Sequence, residues 1–159
     1  MAINRARLNF LFREDRGRIG ARDWLWGLRM LAFILVPFAL VWTALAPYAV
    51  HDIATSAFFV PLTVVAYAFA ILYAFVVLLV AVSYVNLSTK RFRDRGLPVP
   101  LGLAALVPLA ALLAGATHWL QPRVAEVMAR GWVYGADGVL IVVALWSFYE
   151  LGTRPAQEP

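Results

Sequence analysis

An all-α integral membrane protein, a four-helix bundle, is the fold this sequence predicts, and three observations predict it. Of 159 residues, 63% are hydrophobic and only 14% charged, with mean hydropathy +0.77. A soluble domain of this length has too few charges to cover so much apolar surface. The apolar residues also run continuously instead of alternating, and a spanning backbone must satisfy its own hydrogen bonds, which selects helices over barrel strands. Finally, four stretches reach the roughly 20 residues a helix needs to cross about 30 Å of hydrocarbon. The chain reads as a single membrane domain, with residues 1–23 as a cytoplasmic or interfacial lead.

The first span is expected over about 24–50, with Arg29 near its start and Pro37 as a kink, because proline removes a backbone donor. The second, 57–87, carries no charge and exceeds the bilayer thickness, so it must tilt or project into the cytoplasm. The third, 97–120, opens with Pro98 and Pro100 and contains Pro108, which membrane helices tolerate. The fourth, 132–151, has Asp137 in its first turns. Ahead of the first span, Leu8, Leu11 and Phe12 share a helical face amid arginines, so residues 3–13 read either as a short helix in the interface plane or as a basic tail.

Charge sets the orientation. Arg5, Arg7, Arg13, Arg16, Arg18 and Arg22 precede the first span, Lys90, Arg91, Arg93 and Arg95 lie between the second and third, and Arg154 follows the fourth. The opposite side has only Arg123 and Arg130, so both termini are expected in the cytoplasm. Trp24, Trp26, Trp146 and Tyr149 fall at the inner interface, and Trp42, Tyr48, Trp119 and Trp132 near the outer one. Topology thus accounts for the basic balance, and no nucleic-acid partner is expected. The absence of cysteine excludes disulfides and thiolate chemistry. The arginine-rich start lacks the apolar core and small-residue cleavage site of a secretory signal.

Two stretches, "FREDRGRIGARDW" and "KRFRDRGLPVPLG", repeat Phe-Arg, an acid, Arg and Gly before an outward-going span. Glycine permits a tight turn there, the acid can pair with a guanidinium, and the other arginines can meet lipid phosphates. The doubling also admits an internal repeat relating the first two spans to the last two. The pairing of Gly17, Arg18, Ile19, Gly20, Ala21, Arg22, Asp23 and Trp24 with the "KRFRDRG" stretch resembles the small bacterial inner-membrane proteins of domain-of-unknown-function family 805. That family typically shows a Gly-Arg-Ile-Ser-Arg-x-x-Trp motif, four spans and an Arg-Arg-Leu-His-Asp-x-Gly loop. Asp94 and Gly96 match, Arg93 stands where the family has His, and "LPVPLG" replaces Ser-Gly-Trp. The resemblance runs from about Phe10 to Tyr149 and implies a multi-pass fold and an inner-membrane location, with no activity attached.

Arg16, Arg18, Arg22, Lys90, Arg91, Arg93 and Arg95 are candidate docking residues for anionic lipid headgroups or a protein partner, or they serve topology alone. Asp94 reads as a structural clip toward Arg18 or Arg22, because neither a nucleophile nor a second acid accompanies it for catalysis on lipid headgroups. His118 and Asp137 fall at similar depth on consecutive helices and can pair, handle protons or reach interfacial water. Arg29 is expected to snorkel or to pair with Glu150. His51 and His118 have the right chemistry for haem or chlorophyll but no telling spacing, so no cofactor is expected. There is no H-E-x-x-H, Walker loop, G-x-S-x-G or Asp-rich cluster. The expectation is a non-enzymatic accessory, scaffold or assembly subunit, packing on a larger complex or on itself. The alternative is a small oligomeric transporter using Asp137, His118 and Arg29.

Overall fold

The computed structural model describes residues 5–14, 16–49 and 59–155. Helix α1 spans Arg5–Phe12, and α2 spans Ala21–Leu45 and tightens into a 3-10 turn, Ala46–Ala49. Helix α3 covers Pro61–Asp94, α4 covers Pro100–Leu120, and α5 covers Gly131–Phe148 and ends in a π turn, Tyr149–Thr153. Among the described residues there is no strand. Helices α2 to α5 are each long and apolar enough to cross a membrane, and the chain is a multi-pass membrane protein. The end of the first expected span and the start of the second, with His51, lie outside the described residues.

Proline starts both α3 and α4, where its missing donor costs nothing, and Pro37 and Pro108 sit inside α2 and α4. Along the spans the large apolar side chains point outward; Phe33 is 79% exposed, as a lipid-facing residue should be. Where helices touch, small residues such as Ala104, Ala110, Ala114 and Ala136 let the backbones approach. Away from the arginine-rich end, the α2–α3 pair is joined by rings: Phe38 stacks on Phe69 at 5.9 Å, Phe69 on Tyr73 at 6.4 Å, and Tyr73 on Trp42 at 6.3 Å.

The densest core is elsewhere, at the arginine-rich end, where Leu11, Ile19, Trp24, Leu31, Leu87, Phe92, Ala104 and Leu151 pack together. Gly27 leaves room for Leu87: a Cβ there would lie 2.7 Å from Leu87 Cδ2, so a larger residue would force that side chain to shift. Trp24 was expected in the interfacial aromatic belt, but it is 1% exposed inside this core. Its Nε1 donates to Ser88 Oγ at 3.2 Å, and its ring tilts against Phe148 at 6.2 Å.

The excess length expected of the second span is present, but the helix ends later than expected, at Asp94. At 34 residues, α3 is about 51 Å long, well beyond the hydrocarbon thickness. The excess projects as helix, so Lys90, Arg91 and Arg93 occupy its last turns and not a loop. It closes with Gly96 at φ 66: Gly96 N–H reaches Arg93 O at 3.1 Å and Leu97 N–H reaches Phe92 O at 3.2 Å, the Schellman arrangement, with Leu97 packed on the core. Gly17, its counterpart in the first stretch, also has positive φ, at 100. The two similar strings nevertheless fold differently, the first as the connection between α1 and α2 and the second as the end of a helix.

Candidate functional site

The projecting end of α3 organises the arginine-rich end of the molecule. Asn86 and Lys90, four residues apart, form one stripe; Arg91 and Arg95 form a second. Each stripe receives the C-terminus of another helix, where the last carbonyls have no intrahelical donor.

The first stripe receives α1. Asn9 O accepts from the N–H groups of Arg13 at 2.9 Å and Glu14 at 3.1 Å. Lys90 Nζ donates to Phe10 O and, at 3.1 Å, to Leu11 O, and Asn86 Nδ2 donates to Phe12 O at 2.9 Å. All four terminal carbonyls of α1 therefore have donors, and a cation sits at the negative end of its dipole. The Lys90 ammonium also lies 4.6 Å from the Phe10 ring centroid. Apolar packing of Leu11, Phe10 and Phe12 completes the dock, so Leu11 and Phe12 of the expected face meet protein.

The second stripe receives the end of α5. Arg91 Nε donates to Leu151 O at 2.9 Å and its Nη2 to Arg154 O at 2.5 Å, while Arg95 Nη1 donates to Pro155 O. Arg95 Nη2 pairs with Glu150 Oε1 at 3.1 Å, and Arg154 meets the other carboxylate oxygen at 3.3 Å. Phe92 stacks on Trp146 at 5.8 Å, and Tyr84 shares a hydrogen bond with Ser147 at 2.9 Å. Breaking a buried ion pair from one side leaves an uncompensated charge, so this set is strongly coupled.

These contacts revise several expectations. Lys90, Arg91 and Arg95, expected as docking residues, are buried and spend their donors on the chain's own carbonyls and on Glu150. Asp94 does clip, but to Arg91 one turn earlier on its own helix and not to Arg18 or Arg22, since that guanidinium is already beside it. Glu150 is taken by Arg95 and Arg154, and Arg29 is exposed on α2. Arg16, Arg18 and Arg22 are exposed and Arg93 is half-buried. Arg7 of α1 pairs with Asp23 at 2.5 Å, and its guanidinium lies 5.2 Å from the Trp26 ring centroid.

At the opposite end, His118 Nε2 lies 3.1 Å from both Asp137 oxygens. The side chains are 61% and 37% exposed, so the pair adds little stability. Arg29 lies near the other end of the bundle, and the structure does not gather it with His118 and Asp137 along one path. Among the described residues no three His, Asp or Glu side chains form a metal-binding group.

Asn86, Ser88 and Tyr84 carried no signal of their own in the sequence. Four-residue spacing of Asn86 with Lys90 and of Arg91 with Arg95 was the available clue, but it becomes visible only if α3 is carried past its apolar run. No protein-family model matches the chain, and neither a curated protein nor a solved structure does.

Proposed function

We propose that this protein is a non-enzymatic accessory or scaffold subunit of a bacterial inner membrane, with its arginine-rich end in the cytoplasm as a docking surface for a larger membrane complex. The resemblance to domain-of-unknown-function family 805 supports the location, and the lysine and arginine bias supports the orientation. The observation that carries the reading is the division of the cations. Lys90, Arg91 and Arg95 turn inward and fix α1 and the end of α5, making a rigid platform. Arg13, Arg16 and Arg18 project from the segment between α1 and α2, and among the described residues they have no ion pair. Exposed guanidiniums held on a fixed frame suit recognition of carboxylates on a partner.

The test is extraction from native membranes in mild detergent, followed by sizing and identification of what co-elutes. Stoichiometric recovery of a larger membrane complex is expected, and a lone monomer overturns the reading. The transporter reading draws on the His118–Asp137 pair. Flux in reconstituted vesicles that falls in Asp137→Asn and His118→Ala would favour it, and unchanged flux would remove it.

A further inference from the structure

The outward face of α2 carries two arginines that no described residue neutralises. Trp24, Gly27 and Leu31 are the buried stripe of this helix, and Arg22 and Arg29 fall on the opposite side of the helical wheel. Both are exposed, and among the described residues neither has an ion pair. Seven residues separate them, about 10.5 Å along the axis, with Trp26 as an i+4 neighbour of one and an i−3 neighbour of the other. Asp23, the acid on this turn, is engaged by Arg7, whose guanidinium also covers the Trp26 ring. Continuing outward along the same stripe come Phe33, Val36 and Leu40, respectively 79%, 52% and 64% exposed.

Arg29 is the telling residue. It sits about two turns into an apolar helix, on the lipid side, where an unpaired charge is expensive unless a counter-charge meets it. We propose that Arg22, Arg29 and Trp26 form a headgroup site for one anionic phospholipid of the arginine-side leaflet. The phosphodiester bridges the two guanidiniums, Trp26 lies at the glycerol level, and the acyl chains run along Phe33, Val36 and Leu40. An anionic headgroup is selected because no carboxylate is left free on this turn to receive the ammonium of a zwitterionic lipid. The site goes beyond the docking surface of Arg13, Arg16 and Arg18 and lies beside it on α2.

The test is native mass spectrometry of the delipidated full chain in detergent, titrated with phosphatidylglycerol or phosphatidylcholine. The wild type is expected to hold one phosphatidylglycerol in preference to phosphatidylcholine. The Arg22→Gln/Arg29→Gln variant should weaken phosphatidylglycerol binding about thirtyfold and leave phosphatidylcholine unchanged. Arg13→Gln/Arg16→Gln/Arg18→Gln should bind as the wild type does. Because all five positions are exposed, circular dichroism should report native helix content in both variants. Unchanged phosphatidylglycerol affinity in the Arg22/Arg29 variant overturns the site. If the Arg13/Arg16/Arg18 variant alone loses the lipid, the site is wrong but the wider docking surface stands. A wild type that does not discriminate between the two lipids also overturns the site and leaves the protein-docking reading untouched.

Discussion

Replacing Lys90 with Met keeps most of the buried stem and removes the donor that holds the end of α1. Two carbonyls, Phe10 O and Leu11 O, lose their Lys90 bonds in a place where Lys90 itself has no solvent exposure. A buried carbonyl left without a donor costs about 1–3 kcal/mol, and Phe10 O is only part-buried, so the pair would cost about 2–4 kcal/mol. Removing a buried ammonium recovers part of this, because its desolvation no longer has to be met. A net loss of about 2–3 kcal/mol remains for the docking of α1, equivalent to opening that is between about 30-fold and about 150-fold more frequent. Hydrogen exchange read by mass spectrometry over residues 9–14 measures this directly, with Arg123→Gln at the far end of the bundle as the charge-removal control. Protection in Lys90→Met within about threefold of wild type would refute the idea that Lys90 fastens α1.

The other perturbations test the rest of the frame. Glu150→Gln leaves the buried Arg95 guanidinium without its carboxylate and should cost about 3 kcal/mol, read as a lower unfolding temperature in detergent; an unchanged midpoint would remove the pair from the account. Gly27→Val places side-chain atoms where Leu87 already lies and should cost about 1–3 kcal/mol. Adding Leu87→Ala to it should recover part of that loss, and strictly additive costs in the double variant would show that the two residues do not compete for space. Thr89 Oγ1 is buried without a hydrogen-bond partner, so Thr89→Val should stabilise the protein by on the order of 1 kcal/mol, read as a slightly higher midpoint. A clear drop would mean that the hydroxyl is satisfied in the folded protein.

The four spans were legible because continuous hydropathy is a direct readout of the solvent a helix must face. The end of α3 was not, because its charges resemble those of a water-exposed loop although they continue a helix. Nor do the partners of Lys90 and Arg91 have a sequence signature, since they are largely main-chain carbonyls, which every residue carries. Asp94 and Glu150 were recognised as structural acids, but nearer or better-placed arginines won them: Arg91 one turn away for the first, Arg95 and Arg154 for the second. The His118–Asp137 contact was easier to foresee, because a short connection places the end of one span beside the start of the next at matched depth. Burial of Trp24 depends on Ser88 and Phe148 packing against it from other helices, a detail that the composition of an apolar run does not reveal.

In the proposed function the cations divide into an inward set that builds the platform and an outward set that meets a partner. The most direct measurement compares mild-detergent extracts of cells expressing the wild type and the Arg13→Gln/Arg16→Gln/Arg18→Gln variant, sized and identified side by side. The wild type should elute with a stoichiometric membrane partner, and the triple variant should elute folded and without it. A partner retained at full stoichiometry by the triple variant would contradict the account.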